Sequence, residues 1–221
     1  MNKKIVLSAI AVTLLGSAAV LAAQAPAQPM SFFITSTTPN GSGNLGGLAG
    51  ADQICQNLAT AAGAGNKTWH AYLSTQPANG MLGVNARARI GAGPWYNAKG
   101  VMIAANVGDL HGDNLRDRNN IQKANALTEK GELIKGVGDM PNQHDMMTGS
   151  DSDGRAFPAG LDTTCNNWTD GTDDHRAMLG HADRSGGGNV SWNSAHMSTG
   201  CSAAKLIATG GAGHFYCFAI N

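Results

Sequence analysis

Charge is scarce in this chain. Only 14% of its 221 residues are Asp, Glu, Lys or Arg, and 15 acidic side chains balance 15 basic ones. That balance builds no strong field to steer nucleic acid or an anionic lipid surface to the protein. Aromatic residues make up only 5%. Catalytic signatures are missing as well: the sequence has no G-x-S-x-G elbow, no P-loop and no H-E-x-x-H pair. Past Leu21 no apolar run is long enough to span a bilayer, so no membrane span is expected in the mature chain.

The first residues do carry a signal. Lys3 and Lys4 precede an apolar run from Ile5 to Leu21, and small residues follow at Ala22, Ala23 and Ala25. This is the pattern of a secretory leader over residues 1–23, which directs the mature protein to the periplasm or the exterior. Without Lys3 and Lys4, thirteen basic residues face fifteen acidic ones, a net charge near −2. What remains is the size of one domain.

Four cysteines, Cys55, Cys165, Cys201 and Cys217, occur in this exported chain. An oxidising compartment makes disulfides their default state, with three pairings formally open. No two of them form a C-x2-C or C-x4-C pair, which argues against a cysteine zinc site.

Residues 24–45 read as a linker holding one N-terminal strand at Phe32, Phe33 and Ile34. Leu48 to Ala62 has Ala51, Ile54, Cys55, Leu58 and Ala62 at helical spacing, with Gly63 and Gly65 as the stop. A strand is expected over Thr68 to Ser74 and a short helix over Val84 to Ile90. After Val101 to Ala105 some eighty residues of Gly, Asp, Asn and His show no useful periodicity. Trp168, Trp192 and the enclosed cysteines favour ordered loops there over disorder. At the C-terminus, Ala203 to Thr209 and His214 to Ile220 flank Gly210, Gly211, Ala212 and Gly213, which reads as a hairpin. Both faces of the last strand are apolar, so it is expected to be central.

Fourteen of the fifteen acids lie between Asp109 and Asp183, and thirteen of the fifteen are Asp. Asp151-Ser152-Asp153-Gly154 has the opening of a calcium loop without the closing Glu, and Asp170, Asp173 and Asp174 lie close to Trp168 in sequence. Calcium at Asp151, Asp153, Asp170, Asp173 and Asp174 is expected to be weak at most. No other cofactor is implied. His111, His144, His175 and His181 lie in the same region without any recognised metal spacing, so they read as surface residues.

The order of these pieces resembles the C-type-lectin-like fold, and within it endostatin, the C-terminal domain of certain collagens. The residues that carry the likeness are Ala51-Asp52-Gln53-Ile54-Cys55, Ala71-Tyr72-Leu73-Ser74, Gly149 to Arg155, Cys165-Asn166-Asn167-Trp168 and Tyr216-Cys217-Phe218-Ala219-Ile220-Asn221. The resemblance implies an α+β architecture over residues 46–221, with two helices, small antiparallel sheets and a long irregular loop region. It also implies nested bridges, Cys55 with Cys217 and Cys165 with Cys201. Calcium-dependent lectins of this family carry Glu-Pro-Asn or Gln-Pro-Asp and Trp-Asn-Asp triplets. Here Met140-Pro141-Asn142 and Trp192-Asn193-Ser194 keep two residues of each and lose one ligand. Asn142, Trp168 and Asn193 are therefore the candidate ligand contacts, with no catalytic residue assigned. The function implied is a lectin-like module binding a glycan or an extracellular protein. The alternatives are a metal-dependent enzyme of the same fold and a purely structural envelope protein.

Overall fold

The computed structural model describes residues 28–78, 80–112, 118–186 and 189–221, and the leader read at residues 1–23 lies outside them. Among the described residues the fold is α+β, with one long helix, several short ones and three small antiparallel sheets. No helix among the described residues is long and apolar enough to cross a membrane.

The first sheet has the order β1-β8-β2, made of β1 (Phe32–Ile34), β8 (Tyr216–Ala219) and β2 (Trp69–Ala71). The last strand is central, as its two apolar faces require. Alternate residues of a strand point to opposite sides. Accordingly Phe215, Cys217 and Ala219 enter one core, and Tyr216 and Phe218 enter a second. The first core lies under the helix α1 (Gly47–Ala61). The second gathers Phe32, Tyr72, Trp95, Ile103, Ile121 and Trp192.

Helix α1 buries Ala51, Cys55 and Ala59, one face at a spacing of four. Small side chains there let the helix lie close to the sheet. Gly63, at φ 81°, stands just past its C-terminus, where a left-handed residue ends a helix. Asp52 fixes the helix laterally, accepting from the Ala71 N–H at 2.9 Å and pairing with Arg89 at 2.6 Å. Cys55 is bonded to Cys217, which joins the first helix to the last strand, and Cys165 is bonded to Cys201. These are the two pairs that the resemblance implies.

The described residues between β2 and β8 build two further sheets. Strands β3 (Trp95–Tyr96) and β4 (Met102–Ala104) form a hairpin, followed by α2 (Val107–His111). The third sheet has the order β5-β6-β7, made of β5 (Asp145–Met147), β6 (Met178–His181) and β7 (His196–Met197). Between β5 and β6, α3 (Cys165–Trp168) is a single left-handed turn whose four residues have φ between 48° and 67°. Such a run is costly for residues other than glycine. It is held by the Cys165–Cys201 bridge and by Trp168, which is fully buried and donates its indole N–H to the Ser74 carbonyl at 2.7 Å.

Two local expectations are corrected. The segment from Val84 to Ile90 forms only a single 3-10 turn at Ala86–Ala88. The expected C-terminal hairpin is instead α4 (Ala203–Ala208) followed by β8. Ala, Lys and Leu are strong helix formers, and the Ser202 side chain accepts from the Lys205 N–H to start the helix. The glycines then serve two purposes: Gly211 N–H closes on the Leu206 carbonyl to end α4, and the Gly210 carbonyl accepts from Asp145 N–H. That second bond lays the segment after α4 along β5.

Candidate metal centre

The third sheet assembles a cluster of ionisable side chains. In its register Asp145 stands opposite His181 and Met147 opposite Leu179, while Leu179 also stands opposite His196. Opposite residues of an antiparallel pair share a face, and so do residues two apart on one strand. Met147 and Leu179 therefore enter the first core, and Asp145, His181 and His196 gather on the same face nearer the strand ends. His144 lies just outside β5 and stacks its ring on that of His181, with centroids 4.4 Å apart and planes 9° from parallel.

Asp145 is the hub of the cluster. Its Oδ1 is 3.3 Å from His144 Nε2 and 3.5 Å from His181 Nε2, and its Oδ2 is 3.5 Å from His196 Nε2. The Asp145 side chain is only 1% exposed, yet neither carboxylate oxygen accepts a hydrogen bond among the described residues. Both ring nitrogens of the buried His181 are likewise without a partner. A buried carboxylate met only by long contacts to imidazole nitrogens is costly for a protein to hold. A cation between these atoms would remove that penalty.

The geometry suits a small transition-metal ion. One ligand atom each from His144, Asp145 and His181 lies within 4.8 Å of the other two. Ligands bound tetrahedrally at 2.0–2.1 Å stand roughly 3.3 Å from one another, close to the separations seen here. Imidazole nitrogen suits zinc and its neighbours, whereas calcium takes six to eight oxygens.

A further carboxylate supports the cluster from outside. Asp183 Oδ1 accepts from His144 Nδ1 at 2.7 Å, which leaves His144 Nε2 free to face Asp145. Asp183 also accepts from the Val137 and Ser185 N–H groups at 2.8 and 3.0 Å. Burial alone would raise its pKa, but these three hydrogen bonds outweigh burial and hold it below the ordinary carboxylate value. A carboxylate behind a histidine fixes the tautomer that a metal needs. Burial, reinforced by the neighbouring His144, pushes His181 below the usual histidine value, which favours the neutral, ligating form. His196 is raised by its Asp145 contact, and at 37% exposed it stands at the rim.

The residues singled out from the sequence are placed otherwise. Trp168 is a core residue with no surface to offer a ligand. Asn193, 1% exposed, donates its amide to the Tyr72 hydroxyl and to the Asp151 and Ser152 carbonyls. Its polar atoms are consumed in holding a loop to the second core. Asp151 accepts from the Asp153 and Arg155 N–H groups within its own turn. Asp153 pairs with Arg155, Asp170 accepts from Thr172, Asp173 accepts from Ser202, and the exposed Asp174 lies at 3.4 Å from the Thr172 hydroxyl. These five carboxylates are turn and loop staples spread over two segments. Among the described residues, the metal-type grouping is the one at His144, Asp145 and His181. Asn142 does adjoin it, with its Oδ1 accepting from the His144 N–H at 3.4 Å. His144 and His181, read from sequence as surface loop residues, are 4% and 2% exposed.

The chain matches no protein-family model and no curated protein sequence.

Proposed function

We propose that this protein is an exported, C-type-lectin-like binding module whose recognition centre is a divalent transition-metal ion of the zinc class, held by His144, Asp145 and His181. The observation that carries the reading is the buried Asp145 carboxylate, unpartnered and faced by imidazole nitrogens. The lectin-like part rests on architecture: the first helix is bonded to the last strand, and an irregular region is closed by its own disulfide. Two disulfides and the leader-type N-terminus support export to the periplasm or beyond. The ligand in this reading is a glycan or an extracellular protein, and it meets the protein at the metal rather than at the Asp-rich turns.

Titration calorimetry of chelator-treated protein with Zn2+ tests the reading. One ion per chain is expected, with binding abolished in His181→Ala and no comparable response to Ca2+. A folded wild-type chain that takes up no zinc would overturn it.

A further inference from the structure

We infer that the metal at this centre keeps one coordination position open for an anionic oxygen donor, a carboxylate, which also meets the side-chain amide of Asn142. The inference rests on the metal-centre reading and names what the ion binds.

The ligand count is the first ground. Three buried groups converge, with His144, Asp145 and His181 at 5%, 1% and 2% side-chain exposure. His196 does not belong to that group. Its Nε2 faces Oδ2 of Asp145, the oxygen turned away from the two buried imidazoles, and its Nδ1 lies 3.1 Å from the Met197 carbonyl. It holds the carboxylate from the mouth rather than closing the coordination sphere. Three protein ligands on a metal that prefers four leave one position for an outside ligand.

The Asn142 amide is the second ground. Gly210 has φ +106°, and a Cβ built on it would lie 3.4 Å from His144 Nε2 and 3.1 Å from Asn142 Nδ2, tighter than a side chain normally sits. The absence of a side chain at Gly210 thus lets the backbone pass beside a ligating nitrogen and an amide donor. Asn142 is oriented by its Oδ1, which accepts from His144 N–H, and its Nδ2 lies against the same glycine as His144 Nε2.

Charge gives the ligand its class. A divalent ion with one carboxylate and two neutral imidazoles retains one net positive charge in its inner sphere, and Asn142 adds a hydrogen-bond donor. An anionic oxygen satisfies both, binding the ion and accepting from Asn142.

Cobalt(II) replaces zinc as a visible probe for the test, using the full chain. The d–d bands of the cobalt protein are expected to shift on titration with acetate and to stay put with glucose. Asn142→Ala is expected to bind cobalt as the wild type does while needing about 5-fold more acetate, the effect of one hydrogen bond. His196→Ala is expected to keep the cobalt bands. Glucuronate and N-acetylglycine, each with one carboxylate, then separate an acidic sugar from a peptide C-terminus as its source. Bands indifferent to acetate in the wild type, or lost in His196→Ala, would overturn the inference, the second result in favour of a closed four-ligand site. Failure of the folded protein to bind cobalt at all would instead overturn the metal centre beneath it.

Discussion

Asp145 and His181 face each other across β5 and β6 with carboxylate Oδ1 3.5 Å from imidazole Nε2, and neither side chain makes a hydrogen bond among the described residues. Two buried polar groups that meet without satisfying each other are the ground for the metal centre proposed above.

Asp145→Asn removes the hub. With zinc at about 100 times its dissociation constant, binding stabilises the wild type by about 2.7 kcal/mol, or roughly 5–10 °C in Tm for a chain of this size. The variant is expected to melt at the same temperature in zinc and in chelator. Paired thermal melts decide the matter, and a zinc-dependent rise in the variant would contradict the role given to Asp145.

Asp183 acts one step back, so its loss should be graded. Asp183→Asn leaves the three ligands in place but weakens control of the His144 tautomer. Zinc affinity is expected to fall about 10- to 100-fold, without being abolished. Competition against a chromophoric chelator measures it.

Asn193 provides the contrast. Its amide donates to the buried Tyr72 hydroxyl and to the part-buried carbonyls of Asp151 and Ser152. Asn193→Ala should cost about 2–3 kcal/mol in urea unfolding, the penalty for stranding buried polar atoms, and leave zinc affinity unchanged. A loss of binding with no loss of stability would restore Asn193 to the ligand site.

His214 lies outside the centre and gives a pH dependence of its own. Burial lowers its pKa from 6.5 to about 4. The folded value lies below the unfolded one, so the native state binds fewer protons between them and acid favours unfolding. Stability is full above about pH 6.5 and declines toward pH 4, by up to about 3 kcal/mol from this group. Urea unfolding in chelator across that range should show the decline, and His214→Gln should flatten it.

Much of the architecture was legible in the sequence because local patterns encode it. Ala51, Cys55 and Leu58 at helical spacing mark α1. The two apolar faces of the last strand mark β8 as central, and they separate into two cores as alternation requires. The stretch after Ala203 is ambiguous in sequence, because a glycine run between two apolar segments signals a hairpin as readily as a helix stop, and only the Ser202 cap and the Gly211–Leu206 bond decide between them.

The candidate centre depended on tertiary structure. His144, His181 and His196 have no motif spacing, since what brings them together is strand register, in which Asp145 meets His181 and Leu179 meets His196. Composition showed that Asp is concentrated in the loop region, but not which carboxylates lack partners. Asp151, Asp153 and Asp170 spend their oxygens on nearby N–H and side-chain donors, whereas Asp145 is carried by a strand into the interior, where only imidazole nitrogens at 3.3–3.5 Å face it. The sequence by itself determined helix α1, the central last strand and the cysteine content, because periodicity and residue chemistry are local properties. Only the tertiary structure decided which carboxylate is left unsatisfied and which imidazoles surround it, because burial and register are properties of the whole chain.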